Sequence, residues 1–182
     1  MTRSLTGSFY LTETVTLPAA SASGTRVQET VDLSAYVNVP TGQAIAVESV
    51  DFIVQNGVDF GGDIAGMLVN NGSISTQLTD LNPGTALVQA NSHSLIASAS
   101  LNIDIVNSIG TSQSDLFPDN FGPTSLSEAF LVVNDTLYLT TGNDNSVSGA
   151  NALFVTARIR CRVVKLSTKD WMAIAIQSTA EA

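Results

Sequence analysis

Residues 27–157 contain no lysine and no arginine, although thirteen of the chain's sixteen acids fall in that stretch. The chain of 182 residues carries a formal net charge of −9 and a pI near 4.2. A field of that sign repels polyanions, so direct nucleic-acid binding is not expected. Histidine occurs once, at His93, and cysteine once, at Cys161. One cysteine excludes an intrachain disulfide. One histidine and one cysteine exclude a multi-histidine or cysteine-rich zinc site. No G-x-S-x-G elbow accompanies His93, which reads as an exposed or loosely bonded side chain rather than a catalytic base. Aromatic residues make up only 6 % of the chain, fewer than sugar-binding clefts usually display. No apolar run approaches the roughly 20 residues of a membrane-spanning helix. The N-terminal stretch MTRSLTGSFYLTETV lacks the continuous apolar core of a signal peptide, so no classical secretion signal is expected.

Other segments also fail tests for chemistry. The glycines of GVDFGGDIAGM (57–67) have no lysine to complete a phosphate-binding loop and read as a turn with close backbone packing. Asp115, Asp119 and Asp144, near Asn120, Asn143 and Asn145, are oxygen donors of the kind Ca²⁺ takes, but without EF-hand spacing they read as solvated loop acids. Asn71-Gly72-Ser73 and Asn134-Asp135-Thr136 match the glycosylation triplet, which recurs by chance in so Asn/Ser/Thr-rich a chain. No catalytic residue, cofactor site or metal site is expected.

What the chain has instead is apolar alternation with a period of two. In LIASASLNIDIV (95–106), Leu95, Ala97, Ala99, Leu101, Ile103 and Ile105 share one face, opposite Ser98, Ser100, Asn102 and Asp104. That pattern is a half-buried strand. Residues 5–17 repeat it with Leu5, Phe9, Leu11, Val15 and Leu17, and residues 27–39 with Val27, Val31, Leu33, Ala35, Val37 and Val39. In QAIAVESVDFIVQ (43–55) the phase changes: Ile45 and Val47 lie on odd positions, Val50, Phe52 and Val54 on even ones. A bulge or a crossing between sheets produces such a swap. The 152–166 segment swaps too, from Ile159, Cys161 and Val163 to Val164 and Leu166, which reads as the same kind of defect.

Asn71-Gly72 is expected to close a two-residue hairpin, and Asn134-Asp135 a second one. Residues 40–42, 82–84 and 142–145 read as loops. The 107–128 connection is too rich in Gly, Pro, Asp and Ser for a long regular element. Leu116, Phe117 and Phe121 are its expected anchors, and Ser125 and Glu128 are spaced to cap a helical turn. The tail from Ser167 starts like a helix, with Ser167 or Thr168 as N-cap, Asp170 in the first turn, and Trp171, Ile174 and Ala175 on one face. An extended tail is the alternative. The fold class is therefore all-β: an antiparallel β-sandwich, a jelly roll of about eight strands, with a short C-terminal helix or extended tail. Residues 1–182 form one domain, with 1–4 as an arm and 167–182 as a tail.

Five of the seven basic residues lie within 158–169. Arg158, Arg160 and Arg162 share one strand face about 6.5–7 Å apart, with Lys165 just beyond. Two readings stand side by side: a solvated face, or a row of guanidinium forks holding carboxylates of an adjacent strand or subunit. On the second reading Arg158, Arg160, Arg162 and Lys165 form a subunit interface, and Arg160→Glu leaves a folded monomer that self-associates less. Cys161, between the arginines, reads as a small buried apolar side chain.

The segments ALFVTARIRCRVVKLSTKDWMAIA and VDLSAYVNVPTGQAIAVESVDFIVQ resemble, in strand order and style, the single jelly-roll capsid proteins of tailless icosahedral viruses of prokaryotes. The resemblance implies a non-enzymatic shell subunit, located in the virion, that oligomerises through its sandwich surfaces. Its implied partners are copies of itself, other capsid proteins and an internal membrane surface. The rival class is a β-sandwich glycan-binding module such as a lectin, adhesin or phage-fibre domain.

Overall fold

The computed structural model describes residues 3–58, 63–114 and 130–179. They form ten strands, a short 3₁₀ helix (Ile64–Gly66) and one α-helix: β1 (Arg3–Ser4), β2 (Phe9–Leu17), β3 (Arg26–Asp32), β4 (Gln43–Asn56), β5 (Gly72–Thr79), β6 (Leu95–Asp104), β7 (Ile109–Ser114), β8 (Phe130–Val132), β9 (Thr136–Asp144), β10 (Leu153–Lys165) and α1 (Thr168–Thr179). Two five-stranded antiparallel sheets face each other. In the first, β1 and β2 share one edge of β10, followed by β4 and β8; the second runs β3-β9-β5-β6-β7.

The pairs β2/β10, β3/β9, β4/β8 and β5/β6 together describe one long antiparallel ribbon. The ribbon wraps so that β10 also pairs with β4 and β9 with β5. That winding is a jelly roll, as the alternation implied. The short strands β1 and β7 raise the count beyond the expected eight.

Alternation explains the core. On β10, Leu153, Val155, Ala157, Ile159, Cys161 and Val163 turn inward and are buried. They meet Ile45, Val47 and Val50 of β4 and, from the opposite sheet, Leu78, Ile96, Leu137 and Leu139. Full burial of each such side chain contributes roughly 1.5–3 kcal/mol. Cys161 sits in this core. Burial first, and the nearby Glu48 carboxylate second, push its thiol from 9.0 up to about 12. The folded chain therefore keeps the thiol proton when an unfolded chain begins to lose it, so this group's share of stability is present below pH 9.0 and is lost as the pH rises towards about 12. At pH 8, Ellman's reagent should leave native protein unlabelled and label one thiol per chain after denaturation. Rapid labelling of native protein would contradict the burial.

The two phase swaps have different causes. Between β4 and β10 the register steps from Ser49↔Arg160 to Val47↔Cys161, leaving Glu48 as an extra residue. This bulge moves the inward set from Ile45 and Val47 to Val50, Phe52 and Val54. β10 has no defect of its own at Val163/Val164. Val163 faces the sandwich core, while Val164 faces outward and is buried with Ala44, Ala46 and Leu166 beneath Trp171, Ile174 and Ala175 of α1. The tail is therefore helical, with the expected apolar face. Ser167 is its cap: Ser167 Oγ accepts from the Asp170 N–H at 3.2 Å and donates to Asp170 Oδ2 at 2.7 Å.

Several local expectations are corrected. The 27–39 strand ends at Asp32, whose carboxylate accepts the Ser34 N–H at 2.8 Å and turns the chain, leaving Val39 exposed. Asn71-Gly72 closes no hairpin. Gly72 opens β5, which pairs with β6 and β9, while Asn71 Oδ1 accepts the Ile105 N–H at 2.8 Å. Asn134-Asp135 joins strands of different sheets, because β8 pairs with β4 and β9 with β3 and β5. Residues 142–144 belong to β9, and the turn begins at Asn145, where φ is 65°. Within 107–128, residues 109–114 form β7 against β6. Leu116, Phe117, Phe121, the Ser125/Glu128 cap and the acids Asp115 and Asp119 lie outside the described residues.

Candidate subunit interface

The arginines of β10 point away from the core, onto the outer face of the first sheet. Strand parity puts them there, because their neighbours Ile159, Cys161 and Val163 fill the inner face. The three differ in environment. Arg158 is exposed, and its guanidinium lies 5.0 Å from the ring centroid of Tyr10 on β2. That is cation–π distance, which orients the group without neutralising it. Asp51 stands across from Arg158 on β4, yet Arg158 makes no ion pair among the described residues.

Arg160 and Arg162 converge on Glu48. Arg160 Nε lies 3.1 Å from Glu48 Oε2, and Arg162 approaches Oε1 with both Nε and Nη2. Ser8 Oγ, on the segment entering β2, donates to Oε2 at 2.8 Å. The carboxylate is 5 % exposed, the Arg162 side chain 18 % and the Arg160 side chain 38 %. The bulge makes this possible, since the extra residue swings the Glu48 side chain into the row between the two arginines. A carboxylate so withdrawn from water needs several charge-assisted donors, and it has three residues supplying them.

Two members of the arginine row are thus occupied within the chain. Arg160→Glu would set a second carboxylate against buried Glu48, so the expected folded monomer gives way to a destabilised one, and Arg158 is the better probe of surface contacts. Lys165 is exposed but has the opposite parity and lies across from Arg3. Glu48, Ser8 and Tyr10 were missed as partners of the row. The one available signal was Glu48 itself, one of two acids, with Asp51, in the apolar run around the phase swap.

The remaining candidates have structural roles. His93 Nδ1 and Gln177 Nε2 of α1 are 3.1 Å apart, beside a cleft of about 380 Å³ also lined by Asp80 and Ser178. The Ser178 hydroxyl is directed to Asp80 Oδ2 at 3.2 Å and accepts from Asn134 Nδ2 at 3.1 Å, so it is not presented to His93 as a nucleophile would be. Asp144 pairs with Arg26 at 2.7 Å, and Asn143 donates to the Ser21 and Ser146 carbonyls. No cluster with metal-ligand geometry occurs among the described residues.

No family model and no curated protein matches the chain. Among solved structures, VP1 of Trichodysplasia spinulosa-associated polyomavirus in complex with GM1 oligosaccharide is similar over 90 % of this chain and 97 % of that one, at 9 % identity and a TM-score of 0.44. The desmodium yellow mottle tymovirus structure covers 88 % of this chain and 90 % of its own, at 12 % identity and 0.31. The unassembled KI polyomavirus VP1 pentamer covers 91 % and 99 %, at 8 % identity and 0.37.

Proposed function

We propose that this chain is a structural subunit of a virus shell, located in the virion and assembling with copies of itself and with other capsid proteins, and that it is not an enzyme. The observation that carries the reading is Arg158: an exposed guanidinium, oriented by Tyr10, on the outer face of the first sheet. On that face Arg158, Arg160 and Arg162 outnumber Glu48 and Asp51, giving a positive patch on a chain of net charge −9. Copies of so acidic a molecule repel one another except where such a patch meets an acidic surface. The contact therefore sets orientation and register more than affinity. The jelly-roll winding supports the reading as architecture, because it leaves the outer sheet face around Arg158 open to contact. A contact with an internal membrane surface belongs to the same proposal.

Light scattering coupled to size exclusion, together with electron microscopy, tests it. Oligomers or particles are expected, dissociating as salt rises. Arg158→Glu should remain folded and require about tenfold more protein to associate, a change of roughly 1.4 kcal/mol. A species that stays monomeric at every concentration and salt would overturn the shell reading. A sugar-dependent rise in Tm would transfer the chain to the glycan-binding class.

A further inference from the structure

Ten large apolar residues are exposed among the described residues, and six of them gather at one end of the sandwich: Val58, Ile64, Val69, Val106, Ile109 and Val147. Register places them together. Leu17, Asn56 and Leu153 are mutual partners at the ends of their strands, as are Gly72 with Ile103 and Asp104 with Ile109. The connections 18–25, 105–108 and 145–152 and the described residues 57–58 and 63–71 therefore emerge at the same end.

Backbone hydrogen bonds fasten these connections to one another. Val69 N–H donates to the Val147 carbonyl at 3.0 Å, Gly149 N–H to Met67 at 2.9 Å, Ala20 N–H to Gly149 at 2.9 Å and Ser148 N–H to Ser21 at 3.0 Å. Val69 and Val147 are thus held beside each other, and Val106, 83 % exposed, lies at the same end. Exposed apolar residues gathered at one end of a fold mark an interaction site.

Charge selects the occupant. At this end Asp63 is exposed and Asp104 is half-buried, accepting from the Asn107 N–H at 3.2 Å and Asn107 Nδ2 at 2.6 Å, and the one cation close to it, Arg26, is taken by Asp144. Two copies placed end to end would set acid against acid. The chain's exposed cations lie elsewhere, on β1, on β10 and at the start of α1. Taking the shell reading as its basis, we infer that the loop end of one copy docks on the Arg158/Tyr10 face of a second copy. The valines cover the sheet face, and Asp104 or Asp63 faces Arg158. Such a contact joins unlike surfaces, so it propagates from copy to copy and closes into a ring when the rotation permits.

Sedimentation velocity on the full chain tests this. Val106→Asp should keep the Tm of the parent, Asp104→Lys should lower it slightly by removing the two bonds from Asn107, and each should weaken association about tenfold. Asp104→Lys combined with Arg158→Glu should regain most of the lost association, because the charges are exchanged across one contact. Wild-type association left unchanged by both loop-end variants would overturn the inference while leaving self-assembly intact. Weakening by both without rescue in the double variant would overturn the pairing with Arg158. A wild type that never associates removes the shell reading and this one with it.

Discussion

Glu48→Ala is expected to destabilise the fold by roughly 3 kcal/mol, since removing one partner of a buried ion pair costs the other charge a compensating contact. Arg162 bears most of that loss, being mostly buried; Arg160, 38 % exposed, can turn to water and contributes less. In a chain of this size the change corresponds to a Tm lower by about 6–12 °C. Glu48→Gln keeps the volume and some of the hydrogen bonding and should fall between. Replacing the whole cluster, with Glu48→Leu, Arg160→Met and Arg162→Met together, should recover most of the stability, because a well-packed apolar substitute avoids the desolvation of all three groups. Urea unfolding of the four proteins separates these outcomes. A Glu48→Ala variant as stable as the parent would show that the cluster is a solvated surface feature.

The second large effect is expected at Gly149. A Cβ there would overlap the Gly66 carbonyl oxygen and press on the Gly66 and Met67 carbonyl carbons. These are backbone atoms, so no side-chain rotation relieves the contact, and overpacking costs about 1–3 kcal/mol. Moving the loop instead breaks the bonds Gly149 makes with Met67 and Ala20, each contributing about 1 kcal/mol. Gly149→Ala should therefore lose roughly 3–5 kcal/mol when both effects combine. It should also loosen the end of the sandwich that displays Val69 and Val147, so self-association should fall with stability. Thermal unfolding and sedimentation on one preparation would show both changes. A Tm within a degree or so of the parent would mean that the loop yields without loss.

Both sites depend on contacts that one strand's sequence does not disclose. The swap of apolar phase in 43–55 marked a bulge or a crossing between sheets, and it is a bulge, at Glu48. The similar swap at Val163/Val164 has another origin, because an apolar residue on the outer face looks the same in sequence whether the strand bulges or a helix lies over it. Asn71-Gly72 and Asn134-Asp135 have turn chemistry and do turn the chain. Whether a turn returns it to the neighbouring strand or carries it to the opposite sheet depends on pairing elsewhere.

By itself, the sequence determined the all-β class, most of the inward set along β2, β4, β6 and β10, and the buried state of Cys161, and it marked the face that α1 buries if the tail is helical. Those properties are local, since strand periodicity and helix capping are written within a few consecutive residues. Only the tertiary structure decided that Arg160 and Arg162 are held by Glu48 while Arg158 is left at the surface. Glu48 and Arg162 are 114 positions apart, and β-pairing over such a separation is set by the winding of the whole ribbon. The same winding brings four distant connections to one end, which no single one of them encodes.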